Sequence, residues 1–189
     1  MDRPAAARAI DAFLAAIGRD PTLEPELRGT GERVAAAFVD ELCSGYAVDV
    51  GALVTENLLR SDGKGGVVML RDIPVATTCP HHLMSAIGVA TVAFAPRDAI
   101  LGVGTIARVV DAFSRRLSLQ EEIGEHVVSE LEKHLGPRWV GCRLEMTHTC
   151  MVARGERPHG ARLVTLAVRA PDGEARAEAL RVLEGGERT

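Results

Sequence analysis

The fold is decided by residues 67–94, which read VVMLRDIPVATTCPHHLMSAIGVATVAF. The runs Val67–Leu70 and Val89–Phe94 are rich in the β-branched and apolar residues that favour strands. Between them lies a segment that contains Cys79 and two adjacent histidines. This stretch therefore predicts two strands whose connection carries chemically reactive side chains.

Two helices and two further strands follow this pair. Apolar residues recur every three or four positions from about Thr105 to Leu117 and from about Leu119 to Leu135, which indicates two amphipathic helices. The runs Val140–Thr147 and Leu163–Arg169 again favour strands. The order ββααββ predicts an α+β fold with an antiparallel sheet and two helices on one face. Because the sheet edges are left open, the pattern also favours oligomerisation.

The N-terminal region has a different pattern. Helical periodicity covers Arg3–Ile17 and, after a linker rich in proline and glycine, about Thr30–Leu42. The glycine-rich residues 61–66 are expected to be a turn or a mobile loop. We therefore expect an N-terminal helical arm and linker over residues 1–60 and the main domain over residues 61–189.

Composition argues against several classes of protein. The 189 residues carry a formal charge of -4, and aromatic residues make up only 3% of them. A nucleic-acid binder that relies on bulk positive charge or on base stacking is therefore not expected. The sequence has no apolar run of membrane-spanning length and no secretory signal at its start, so we expect a cytoplasmic protein without a membrane partner.

Four cysteines in such a chain indicate free thiols or metal ligands rather than a disulfide framework. Cys43 and Cys142 lie in apolar stretches and are expected to be structural. Cys79 and Cys150 differ because each has histidines close by. Their motifs are Cys79-Pro80-His81-His82 and His148-Thr149-Cys150.

Cys79, His82 and Cys150 could together bind one metal ion. Three protein ligands leave the fourth tetrahedral position open, which is typical of a catalytic zinc site where the ion lowers the pKa of water. His81 and His148 would then carry protons nearby. If His148 and Cys150 lie on a strand, their side chains point to the same face. The alternative is a turn whose histidines are hydrogen-bonded surface residues.

Several separated motifs together resemble the GTP cyclohydrolase I family. They occur in the family's order and spacing between about Thr30 and Ala170: CPHH at 79–82, GVGTIAR at 102–108, RRLSLQE at 115–121 and HTCMVARG at 148–155. The resemblance implies a T-fold assembled into a ring-shaped homodecamer with active sites at subunit interfaces. It also implies an enzyme in which activated water attacks C8 of the guanine of GTP. The imidazole ring opens, formate leaves, and the ribose rearranges and recloses to give dihydroneopterin triphosphate.

The resemblance also implies roles for the metal and proton-transfer residues. Cys79, His82 and Cys150 match the zinc ligands, and such a site could also hold Fe²⁺. His148 matches the general acid/base, and His81 matches the histidine near the ribose and the opened ring.

Four further residues match substrate contacts. Glu121 matches the carboxylate that binds the guanine edge, assisted by Gln120, while Arg108 and Arg154 match triphosphate contacts. The alternative is that Glu121 has only a structural role, as the last residue of a capping box, Ser118-Leu119-Gln120-Glu121, at the start of the helix. Arg115 and Arg116, by contrast, are expected on a solvated helix face.

The sequence departs from the family's pattern on the ribose and phosphate side. Pro80 stands where the family has a glutamate, Gly104 where it has a serine, and Thr105 where it has a lysine. Three readings therefore stay open. The first is a working GTP cyclohydrolase I. The second is a diverged enzyme acting at C8 of a guanine nucleotide, giving a ring-opened formamide or, with iron, 8-oxo-GTP. The third is a non-catalytic nucleotide-binding ring.

Overall fold

The computed structural model describes residues 1–63, 66–154 and 160–185. These residues form two compact units, Met1–Ser44 and a second unit that begins at Gly45. Residues 64 and 65 of the expected glycine-rich turn, and residue 155 of the last motif quoted above, lie outside the described residues.

The first unit is helical. Its elements are α1 (Arg3–Ala16), a 3₁₀ turn (Pro25–Leu27), α2 (Thr30–Ala36) and a π-helical segment (Ala37–Leu42). The expected helix from Thr30 to Leu42 is therefore present, but its hydrogen-bond pattern changes halfway. α1 packs closely against α2 at Gly31, where an added Cβ would lie 2.5 Å from the Ala7 carbonyl oxygen. Cys43 is buried, and its burial raises the pKa of the thiol.

The second unit combines helices with antiparallel strands. After a 3₁₀ turn (Ser44–Ala47), its elements are α3 (Val50–Thr55), β1 (Leu58–Arg60), β2 (Val68–Thr78), β3 (Ser85–Ala95), β4 (Ala99–Leu101), α4 (Val103–Ser114), α5 (Gln120–Leu135), β5 (Trp139–His148), α6 (Thr149–Val152), β6 (Leu163–Arg169) and α7 (Gly173–Glu184). None of the described helices is both long and apolar enough to cross a membrane.

The main sheet is antiparallel and has the strand order β2-β3-β5-β6, while β1 and β4 form a separate pair. Alternate residues of β3, namely Ala90, Val92 and Phe94, lie in one apolar core with the buried side chains of α4 and α5. Cys142 lies in the same core, where burial raises the pKa of its thiol to about 12. The expected mixed fold, with its antiparallel sheet and its two helices packed on one face, is confirmed.

Helix α7 was not expected, and it covers part of the opposite sheet face. Ala93 and Trp139 form a second apolar cluster there with Leu183 of α7. The indole Nε1–H of Trp139 donates to Glu178 Oε2 at 2.9 Å, which satisfies the polar atom of a nearly fully buried side chain. The sheet is therefore covered by helices on both faces, rather than on one face alone.

The boundary between the two units lies at Ser44 and Gly45, whereas the sequence placed it at residue 60. The physical reason is α3, which buries Val50, Leu53 and Val54 in the main core. Residues 45–60 therefore belong with the sheet and not with the helical arm.

Candidate active site

The connection between β2 and β3 folds a histidine back onto a cysteine. The N–H of Cys79 donates to Met84 O at 2.9 Å, and the N–H of Leu83 donates to Cys79 O at 2.9 Å. Leu83 adopts a φ of 52°, a left-handed conformation that few non-glycine residues take. These two hydrogen bonds close the turn, and the Sγ of Cys79 lies 3.6 Å from Nδ1 of His82.

The end of β5 lies beside this turn. His148 is its last residue and pairs with Ala86 at the start of β3. The chain then leaves the sheet, because Thr149–Val152 forms helix α6. The expectation that His148 and Cys150 share one face of a strand is therefore wrong. The hydroxyl of Thr149 donates to Ser85 O at 2.6 Å and holds α6 against β3.

Cys79, His82 and Cys150 meet as a result of these two turns. The three ligand atoms all lie within 4.8 Å of one another. Zinc bonds of about 2.3 Å to sulfur and about 2.0–2.1 Å to nitrogen, at a tetrahedral angle, require a sulfur–nitrogen separation of about 3.6 Å. The observed separation of Cys79 Sγ and His82 Nδ1 matches this value. The donor set therefore fits a metal ion of the zinc type.

The surroundings of the cluster make the thiolate of Cys150 costly to form without a cation among the ligands. Burial and, after it, the neighbouring Cys79 thiol raise the pKa of Cys150. A metal ion among these donors would offset both effects, since the thiolate is the form that binds metals.

His148 is held beside the cluster by Gln120. Its Nε2 lies 2.9 Å from Gln120 Oε1. The imidazole is half-buried, and its desolvation lowers the pKa, while the carboxylate of Glu121 opposes this shift. The ring is therefore biased toward its neutral form, which can accept a proton.

The structure corrects the expected role of Gln120. Its side chain is only 1% exposed, and the two hydrogens of Nε2 are shared among three acceptors: Leu144 O at 3.1 Å, Leu163 O at 3.0 Å and Thr165 Oγ1 at 3.1 Å. With Oε1 facing His148, both polar atoms are engaged by the protein. Gln120 therefore has no polar side-chain group left for a guanine base.

Glu121 lies exposed in the first turn of α5. The carboxylate that caps this helix belongs to Glu122, which accepts a hydrogen bond from the N–H of Leu119 at 3.0 Å. The alternative reading, in which Glu121 closes the capping box, is therefore wrong. Its carboxylate stands near His148 and is open to a ligand.

Two further residues flank the cluster. His81 is exposed, and its ring lies edge-on to His82 with 6.1 Å between the centroids. Arg154 is exposed as well, and its Nη2 lies 3.2 Å from His82 Nε2. Both residues therefore border the cluster of Cys79, His82 and Cys150 on its solvent side.

The motif at residues 102–108 lies at the start of α4, away from the cluster. The C-terminal end of α4 leads to Leu117, which forms an isolated β-bridge with Thr78, the residue directly before Cys79. The 12 residues of α4 span about 16 Å, so Gly104, in the first turn, lies far from that end. Among the described residues, Arg108 makes no hydrogen bond or ion pair with the cluster.

Arg116 has a structural role that the sequence did not reveal. Its guanidinium carbon lies 4.7 Å from the centre of the Phe113 ring, and its Nε donates to the carbonyl oxygens of Gly45 and Ala112 at 3.2 and 3.1 Å. The expected solvated helix face is therefore wrong for this residue. The signal was an arginine two residues after the helix end, within reach of the last carbonyl groups of the helix.

The chain is similar along nearly its whole length to one protein family: residues 6–184 match the model described as GTP cyclohydrolase I. A GTP cyclohydrolase 1 of Leifsonia xyli subsp. xyli is 38% identical over 187 residues, covering 98% of this chain and 97% of the relative. One of Mycobacterium ulcerans is 40% identical over 184 residues, covering 95% and 89%. One of Synechococcus sp. (strain JA-2-3B'a(2-13)) is 40% identical over 162 residues, covering 86% and 69%. Among solved structures, an apo archaeosine synthase QueF-Like aligns over 58% of this chain and 99% of its own, with a TM-score of 0.48 and 17% identity.

Proposed function

The chain belongs to the GTP cyclohydrolase I family, and from this premise we propose that it hydrolyses GTP at C8 of the guanine, releasing formate and forming dihydroneopterin triphosphate. It is a hydrolase, as its relatives are named. The observation that carries the proposed reaction is the Cys79, His82 and Cys150 cluster, with a half-buried, hydrogen-bonded histidine two residues from one of the ligands.

We assign the cluster to Zn²⁺, with Fe²⁺ as the alternative ion for the same donor set. When bound by three protein ligands, the ion supplies Lewis acidity and brings the pKa of water toward neutrality. Cys79 and Cys150 supply thiolates, and His82 supplies Nδ1, the ring nitrogen nearest to the Cys79 sulfur.

Two histidines handle protons in this proposal. Desolvation lowers the pKa of His148, which favours the neutral ring that can take a proton from the attacking water. The same ring can return that proton to the departing nitrogen when the imidazole ring of guanine opens. His81, on the exposed side of the cluster, serves the later steps on the ribose.

Two charged residues bind the substrate. The exposed carboxylate of Glu121 can accept hydrogen bonds from both N1–H and the 2-amino group of guanine, which separates guanine from adenine. Arg154 borders the cluster and offers a guanidinium group that suits phosphate oxygens.

The position of α4 supports a site shared between subunits. Its first turn, which contains Gly104, lies at the end remote from the cluster of the same chain, and Arg108 follows one turn later. We assign Gly104 and Arg108 to the site of a neighbouring copy. The free edges of β2 and β6 give a homo-oligomer a means of assembly. We propose the T-fold ring, a homodecamer with interfacial sites and a cytoplasmic setting, as the form in which the enzyme works.

A diverged reaction is the second candidate, and the first turn of α4 favours it. Gly104 lacks the hydroxyl that the family has there, and no atom lies within 4 Å of the position that its Cβ would occupy. Thr105 is only 6% exposed in place of a lysine. An enzyme weakened on the ribose side would release the ring-opened formamide, or, with iron and molecular oxygen as the oxidant, 8-oxo-GTP.

Mass spectrometry of the products from GTP tests the proposal. Protein loaded separately with Zn²⁺ and with Fe²⁺ would be compared with and without oxygen. Formate and dihydroneopterin triphosphate from the zinc form are the expected result. A ring-opened nucleotide as the end product, or a C8-oxidised one that requires iron and oxygen, would replace it with the diverged reaction. Bound nucleotide with no turnover in either form would leave only a nucleotide-binding ring.

A further inference from the structure

We propose that Gln120 is the positioning residue that fixes the ring of His148 and determines which of its nitrogens carries the proton. In this assignment Nε2 of His148 is the protonated nitrogen that donates to Gln120, and Nδ1 is left as the basic nitrogen. The inference rests on the proposed function, because it takes His148 as the group that moves the proton. In place of a contact with guanine, Gln120 acts on the reaction only through His148.

The orientation of the Gln120 amide is the first step. One end of the amide faces Leu144 O, Leu163 O and Thr165 Oγ1, all at 3.0–3.1 Å. Two of these partners are carbonyl oxygens, which only accept hydrogen bonds. The atom that faces them must therefore be the donating Nε2, and the amide has only one possible orientation.

The protonation of His148 follows from that orientation. With Nε2 directed at the strands, Oε1 of Gln120 faces the imidazole and lies 2.9 Å from its Nε2. An amide oxygen has no proton to give, so the imidazole must donate. A neutral imidazole that donates from Nε2 has an unprotonated Nδ1.

The surroundings make this arrangement rigid. The side chain of Gln120 is 1% exposed, so water does not compete for its partners. Its amide joins the first residue of α5 to β5 through Leu144 and to β6 through Leu163 and Thr165. A ring flip of His148 would leave the buried Oε1 without a donor, which is costly in such a site.

The wild-type protein offers the first test, which needs no variant. Zinc-loaded protein labelled with ¹⁵N-histidine would be studied by NMR, with His148 assigned from the signal that is lost in His148→Ala. The expected spectrum gives His148 as the Nε2–H tautomer near pH 7.5. An Nδ1–H tautomer, or a mixture of both forms, would overturn the proposal.

A pair of variants provides the second test. Gln120→Leu removes the acceptor of His148, whereas Thr165→Val removes one acceptor of Gln120 and leaves the contact with His148 intact. We expect Gln120→Leu to lower kcat for GTP by about 10- to 100-fold, with KM within about twofold and one zinc retained per chain. Thr165→Val should stay within about threefold of wild type in kcat.

The outcomes separate this inference from the proposed function. A raised KM with unchanged kcat in Gln120→Leu would mean that Gln120 binds guanine, and equal losses in both variants would mean a merely structural role. Either result would overturn the positioning role. If the wild-type protein gave no product from GTP, the proposed function would fail. The tautomer of His148 in the NMR experiment would still decide whether Gln120 fixes the ring.

Discussion

The hydroxyl of Thr149 donates to the carbonyl oxygen of Ser85 at 2.6 Å. This contact holds α6, which contains Cys150, against the start of β3, the strand that follows Cys79 and His82 in the chain. Thr149 lies between His148, where β5 ends, and Cys150. This hydrogen bond, together with the pairing of His148 with Ala86, thus connects the two halves of the cluster.

Loosening this contact should weaken metal binding. We expect Thr149→Val, which keeps the shape of the side chain but loses the donor, to lower zinc affinity by about tenfold, because partners that orient metal ligands contribute at least that much. Competition with a chromophoric chelator measures the affinity. Thr149→Ser keeps the hydroxyl and is the matched control. Equal affinities in the two variants would show that the hydrogen bond does not hold Cys150 in place.

The roles of His148 and Cys150 can be separated by metal analysis. His148→Ala should retain one zinc per chain and lose about 10²- to 10⁴-fold in turnover, because a proton carrier is removed and no ligand is lost. Cys150→Ser should lose the metal and the activity together. Loss of zinc in His148→Ala would make this histidine a ligand, and a fully active Cys150→Ser enzyme would remove Cys150 from the site.

Gly104 allows the ribose side of the site to be restored without a steric penalty. A Cβ at this position meets no atom within 4 Å, so Gly104→Ser should fold normally. If the missing hydroxyl limits the late steps, this variant should increase dihydroneopterin triphosphate relative to any ring-opened intermediate. Gly104→Ala adds the Cβ without the hydroxyl and should leave the product ratio unchanged. An equal increase in both variants would trace the gain to helix stability, since alanine is favoured over glycine by up to about 1 kcal/mol.

Acid should weaken the fold in part through Glu145. Hydrogen bonds from Arg162 and then Arg143 lower the pKa of this carboxyl below its ordinary value of 4.5. A carboxyl with a lowered pKa stabilises the folded state above its ordinary value, and this contribution is lost as the pH falls through the lowered one. The urea midpoint of Glu145→Gln should therefore lie below that of wild type near pH 7, and the two should converge in acid. A difference that stays constant with pH would contradict this assignment.

Helix α7 should contribute directly to the stability of the sheet. Leu183 is 4% exposed and packs with Trp139 in the second apolar cluster, so Leu183→Ala should lower the free energy of unfolding by about 2–5 kcal/mol. The exposed neighbour Glu184 is the control, and Glu184→Ala should change the stability by less than about 0.5 kcal/mol. Similar small effects in both variants would mean that α7 is only loosely attached.

Periodicity predicted the strands and long helices well because their buried faces are continuous. The run Leu163–Arg169 is the observed β6, and the helix expected from about Leu119 to Leu135 is α5 from Gln120 onward. Helix α7 was not predicted, although Ala175, Ala179 and Leu183 recur along it at the helical spacing of four residues and all lie in or against the second apolar cluster.

The sequence predicted which side chains form the candidate metal site, but not the backbone structure that brings them together. The motifs identified Cys79, His82 and Cys150, whose ligand atoms do come together. The short helix after His148 depends on the contact between Thr149 and Ser85, which are distant in sequence. The role of Gln120 likewise depends on acceptor groups from two strands that follow it in the chain. No local pattern encodes such long-range partners, so a buried glutamine in a matching motif was read as a substrate contact.

The most direct test of the account is formate release from GTP labelled with ¹³C at C8, followed by NMR while metal-free protein is titrated with Zn²⁺. We expect labelled formate to appear in proportion to added zinc, up to one equivalent per chain, and not to appear with Cys150→Ser at any zinc concentration. Formate release without zinc, or a zinc-loaded protein that leaves the C8 carbon in the nucleotide, would contradict a metal-dependent GTP cyclohydrolase at this site.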